Sequence, residues 1–79
     1  MNLLLHQTPA SYDDWKRDFD AHTETRMNAG LTLLQLWRDL DGSGVTALFQ
    51  VNDRKKAQDW LDRETQTGGP LDARFMRTA

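Results

Sequence analysis

Apolar and polar positions change period several times along the chain. Residues 2–7 (NLLLHQ) are an apolar run closed by Thr8-Pro9, which predicts a first strand that Pro9 stops. From Ser11 the period lengthens. Tyr12, Trp15, Phe19, His22 and Arg26 recur at steps of three and four, which is one face of a helix. Ser11 is placed as the N-cap, with Asp14 three residues on as a weaker capping-box partner. Asp13 and Asp14 favour the positive end of the helix dipole. Gly30 is the expected stop of a single helix.

Residues 31–40 (LTLLQLWRDL) are apolar on both sides of a strand. Strict alternation puts Leu31, Leu33, Gln35 and Trp37 on one side and Thr32, Leu34, Leu36 and Arg38 on the other. Asp41-Gly42-Ser43-Gly44 is a turn signal, and residues 45–51 (VTALFQV) read as the returning strand. Asp53 caps a second helix whose stripe is Ala57, Trp60 and Leu61, extended by Glu64. Thr67-Gly68-Gly69-Pro70 breaks it, and residues 71–77 (LDARFMR) make a fourth strand.

The order β-α-β-β-α-β predicts an α+β, ferredoxin-like plait: a four-stranded antiparallel sheet with two helices on one face. No linker or repeat divides it, so residues 1–79 form a single domain. The other face of the sheet is left bare although its strands are apolar on both sides. A chain of 79 residues buries only about 60% of its unfolded surface, and without cysteine it has no disulfide to help. A second copy of the chain is the expected cover, giving a homodimer through the open sheet face.

Charge narrows the partners. Ten Lys+Arg against 12 Asp+Glu give a net charge of −2, which argues against nucleic acid. No stretch carries the basic, glycine and aromatic signature of an RNA-recognition module, and Thr8-Pro9-Ala10-Ser11 is no glycine-rich phosphate cradle. The longest apolar run, Leu3-Leu4-Leu5, is far short of a membrane span of ~20 residues and of a signal-peptide core of ~7–15. A soluble, cytoplasmic protein with no membrane contact is expected.

The first-helix segment SYDDWKRDFDAH, Arg26, the Ala29-Gly30-Leu31 step, and LFQVND followed by Ala57, Trp60 and Leu61 together resemble the dimeric α+β-barrel superfamily. The likeness is to its small antibiotic-biosynthesis-monooxygenase-like members and spans most of residues 11–61. The resemblance implies sheets paired face to face into a barrel, with a pocket between sheet and helices. Such proteins include cofactor-independent oxygenases, isomerases, haem-degrading enzymes and stress-related proteins. Haem-degrading members use an Asn on the first strand, a Trp and a later His. Asn2 and Trp60 can be set against the first two, but no His follows His22, so the haem ligand is missing. No cofactor is expected.

The candidate chemistry sits at the end of the first helical stripe. His22 and Arg26, at i,i+4, should point toward the sheet. There Arg26 would hold an anionic or carbonyl-bearing ligand and His22, the candidate catalytic residue, would move a proton. Trp15, Trp37 and Gln35 complete the candidate ligand-binding set, with Trp60, Phe49 and Phe75 as further rings for a planar substrate. The plainer alternative is that the helix rotates near its end. Met27 would then take the core slot, Arg26 would snorkel, His22 would bond a carbonyl, and the rings would fill the core and dimer seam. If Arg26 is structural, Asp39 is a protein carboxylate that could satisfy it. His6 and His22 lack a metal-ligand spacing, and no metal site is expected. Arg54-Lys55-Lys56 reads as a solvated surface, with anion binding as the alternative. Two functions follow. One is a binding or structural module with a small-molecule pocket. The other is a cofactor-independent monooxygenase or isomerase acting on a small aromatic or polyketide-like substrate.

Overall fold

A computed structural model describes residues 1–68 and 71–79. Over these the order is β1 (Asn2–Gln7), α1 (Tyr12–Ala21), α2 (Thr23–Asn28), β2 (Leu31–Arg38), β3 (Val45–Val51), α3 (Arg54–Gly68) and β4 (Asp72–Met76). The fold is α+β, with a four-stranded antiparallel open sheet in the order β2-β3-β1-β4. This arrangement is compatible with a ferredoxin-like plait. The break expected at Thr67-Gly68-Gly69-Pro70 comes later than Thr67, because α3 runs on to Gly68, and Gly69-Pro70 lie outside the described residues.

Local signals place the helix starts. Ser11 caps α1, its hydroxyl accepting from the Asp14 amide at 3.4 Å. The Asp53 carboxylate accepts from the Lys56 amide at 3.0 Å at the start of α3. Gly30 ends the second helix with φ +77°, and a Cβ there would also meet the Asp53 amide nitrogen at 2.9 Å. Both reasons select glycine.

Two sequence expectations are corrected. The helix expected from Ser11 to Gly30 is two helices, broken at His22, which has φ −107° and ψ 19°. The Thr23 hydroxyl donates to the Asp20 carbonyl at 3.0 Å, and the His22 amide donates to Phe19 O at 3.2 Å. Such side-chain bonding back to the helix competes with the regular ladder and bends it. Among the described residues there are therefore three helices, not two.

The second correction concerns β2. Leu33 pairs with Phe49 but Gln35 pairs with Leu48, so Leu34 is an extra residue in a β-bulge. The bulge reverses the faces of the rest of the strand. Leu36 and Arg38 now lie on the side of Ala47 and Val45, and Gln35 and Trp37 on the side of Leu48 and Thr46. Strict alternation placed these four the other way.

The core fills the layer between the helices and one sheet face. Leu3, Leu5, Leu31, Ala47, Phe49 and Val51 from the strands meet Phe19, Ala57, Trp60 and Leu61 from the helices. An aromatic series links the two layers: Tyr12 to Trp15 at 5.9 Å, Trp15 stacked on Phe19 at 4.8 Å, Phe19 to Phe49 at 6.4 Å and Phe49 edge-on to Trp60 at 6.3 Å. The opposite face carries three rows across the strands. They are Trp37-Thr46-His6-Asp72, Gln35-Leu48-Leu4-Arg74, and Thr32-Gln50-Asn2-Met76. No described helix is long and apolar enough to cross a membrane.

Candidate functional site

Arg26 is the buried charge of the helix–sheet layer among the described residues, at 5% exposure, while its neighbour Met27 is 62% exposed. The helix has not rotated to put methionine inward. The turn at His22 brings the Arg26 guanidinium over the face of Phe19, 3.7 Å from the ring centroid. The stack lowers the cost of burying the cation, because the ring face carries negative potential. Its Nη2 donates a long, weak hydrogen bond to the Thr23 hydroxyl at 3.3 Å. Burial pushes the arginine below its ordinary value, against opposing attraction from Asp20 and then Glu64.

Arg26 borders a cavity of about 210 Å³ at the edge of the layer. Leu5, Trp15, Phe19, Trp60 and Leu71 form its apolar walls. Its polar lining is Gln7, Asp18, His22, Arg26 and Glu64. Such a site, smaller than the ~300–1,000 Å³ usual for drug-sized ligands, suits a small molecule with an apolar body.

His22 stands at the rim. Its side chain is 55% exposed and does not point into the sheet as the unbroken stripe predicted. Nδ1 lies 2.7 Å from the Asp18 carbonyl and 3.5 Å from the Asp18 carboxylate. A carbonyl oxygen only accepts, so Nδ1 carries the proton and Nε2 of the neutral ring is an acceptor. The site thus pairs an inward cation with an outward imidazole.

The predicted ligand set divides. Trp15, His22 and Arg26 line the one cavity. Gln35 and Trp37 do not, because the bulge at Leu34 turns them to the other face, where Trp37 is 47% exposed. Asp39 is no partner of Arg26 either. Its carboxylate faces His6 Nε2 at 3.8 Å, on the far side of the sheet from Arg26. The close packing of Asp39 and His6 over Gly44 leaves no room there for a Cβ. His6 and His22 accordingly sit in different layers.

Sequence reasoning placed Glu64 on the α3 stripe but not in the site. Its step of four from Trp60 was the available signal, since both residues line the cavity. Gln7 and Leu71 come from strand ends that periodicity does not orient. The basic stretch at the start of α3 is partly engaged, with the Arg54 guanidinium 4.5 Å from the centroid of Phe75.

Residues 1–63 match the family model described as a domain of unknown function, DUF3303. No curated protein matches the chain.

Proposed function

The chain belongs to the DUF3303 family, and we propose that it is a small-molecule binding module, dimeric through its open sheet face, whose helix–sheet cavity takes a small anion. One observation carries the reading. Arg26 is buried on the Phe19 ring, and its guanidinium borders a cavity with apolar walls. A buried cation needs a partner, and a ligand carboxylate or enolate supplies one. The dimer accords with the resemblance to dimeric α+β barrels. It would cover Leu4, Leu34, Trp37, Leu48 and Met76 on the bare face. Light scattering should give a dimer mass at micromolar concentration, and a monomer mass would end that part of the reading.

The binding part is tested with benzoate, followed by tryptophan fluorescence, on the wild type and on Arg26→Leu. Saturable binding by the wild type alone is expected, with the empty variant as stable as the wild type or more so. No saturable signal, together with a loss of roughly 1–3 kcal/mol in Arg26→Leu, would make Arg26 structural.

His22 supports a second reading, a cofactor-independent monooxygenase or isomerase. With Nδ1 held by the Asp18 carbonyl, Nε2 is oriented as a base at the cavity rim. Residual binding without turnover in His22→Ala would separate catalysis from binding.

A further inference from the structure

Two acids share the cavity with Arg26, and one of them, Asp18, is exposed at the rim beside His22 Nδ1 at 3.5 Å. Glu64, half-buried on α3, lines it too and attracts Arg26. Ion pairs such as His6–Asp39, Lys16–Asp20, Arg17–Asp14 and His22–Asp18 occur among the described residues, and Arg26–Glu64 is not one of them. Asp20, the other acid that attracts Arg26, is already engaged by Lys16 at 2.7 Å. The site therefore presents a cation and an anion on opposing elements, α2 and α3, close enough to feel each other and too far apart to pair.

Resting on the binding reading above, we infer that the cavity recognises a zwitterion: an amphipathic molecule bearing a carboxylate beside an ammonium group, of the kind an aromatic or large aliphatic α-amino acid presents. The carboxylate lies against Arg26 and the ammonium against Glu64. Each ligand charge meets its opposite, and buried Arg26 and half-buried Glu64 each gain a charge-assisted hydrogen bond. Trp15, Trp60, Leu5 and Leu71 take the side chain. A simple anion would satisfy Arg26 but bring its charge toward Glu64, where repulsion works against it. A simple amine would meet Glu64 and be repelled by Arg26. The split pair thus selects for two groups at once, which a lone arginine does not do.

Three probes share one skeleton and separate these cases: phenylalanine, 3-phenylpropanoate and phenethylamine. Calorimetric titration of the full chain should give phenylalanine an affinity about tenfold or more above either of the others. Glu64→Gln should reduce phenylalanine to the level of 3-phenylpropanoate and leave 3-phenylpropanoate as tight or tighter. Arg26→Leu should remove both carboxylate-bearing probes. Circular dichroism of each variant checks that it is folded, and Glu64→Asp should recover part of the phenylalanine preference. Equal binding of phenylalanine and 3-phenylpropanoate, unmoved by Glu64→Gln, would overturn the zwitterion inference and leave the anion pocket standing. Failure of all three probes and of benzoate would overturn both.

Discussion

On the helix side of the sheet Leu3, Leu31 and Phe49 are at most 1% exposed, while Leu34 and Trp37 on the other side of the same strands stand at 49% and 47%. Both sides carry large apolar groups, so residue type does not separate them. Cover does. The helix side has three helices to close against and concentrates the core, the buried arginine and the cavity there. The bare side mixes leucine, tryptophan and methionine with histidine, aspartate and arginine in the same rows. The helix-covered side can hold a charge away from water because rings surround it. The bare side keeps its charges hydrated and waits on a second surface for its apolar groups.

The largest effect that sharpens this contrast is a pair of tryptophan truncations. Trp60, 6% exposed, sits in the core cluster, and Trp60→Ala should cost about 3–5 kcal/mol in urea unfolding. Trp37→Ala should stay within about 0.5 kcal/mol of the wild type at protein concentrations too low for association. Equal losses would break the comparison.

Arginines give a smaller contrast. Arg38 reaches the helix side through the bulge and lies 3.7 Å from the Tyr12 ring centroid. Arg38→Ala should lower stability by about 0.5–1 kcal/mol, the usual worth of an exposed cation–π contact. Arg74, on the bare side, makes no such stack among the described residues, and Arg74→Ala should leave the urea midpoint in place.

The smallest effect belongs to neither face. Lys16 on α1 donates to the Asp20 carboxylate at 2.7 and 2.9 Å, and this hydrogen bond raises its pKa above the ordinary 10.5. A raised basic group stabilises fully below its unfolded value, and the contribution disappears as pH climbs through the folded value. Lys16→Met should therefore flatten the alkaline limb of a thermal-midpoint profile. Salt should shrink even that difference, because the pair is exposed.

Much of this was legible beforehand. The strand over residues 45–51 and the caps Ser11 and Asp53 follow from local chemistry that tertiary packing leaves alone. The inward position of Arg26 follows from its spacing after Phe19, and Trp15 shares the cavity for the same reason. His22 lines the cavity and bonds a carbonyl, as its two readings have it, but it faces outward because a periodic stripe does not register the one-residue break, where the Thr23 hydroxyl bonds backward. Gln35 and Trp37 were misplaced for a different reason. A strand apolar on both sides carries no phase, so nothing in residues 31–40 marks where an extra residue enters the ladder. Glu64 needed the third dimension, since only the approach of α3 to α2 makes it face an arginine.

The bulge at Leu34 selects the outer surface of β2 by absorbing one residue out of phase, whatever the chemistry of that residue. Any substitution at position 34 leaves the extra residue in place, so Trp37 stays outward and Arg38 stays beneath Tyr12. Loss of that single residue would leave Leu33, Gln35, Leu36 and Trp37 in plain alternation on the faces they already occupy, so the bulge would go while Trp37 stayed outward. An inherited deletion of one codon there would therefore straighten the strand in one step without exchanging its two surfaces, a change that no sequence of point replacements reproduces.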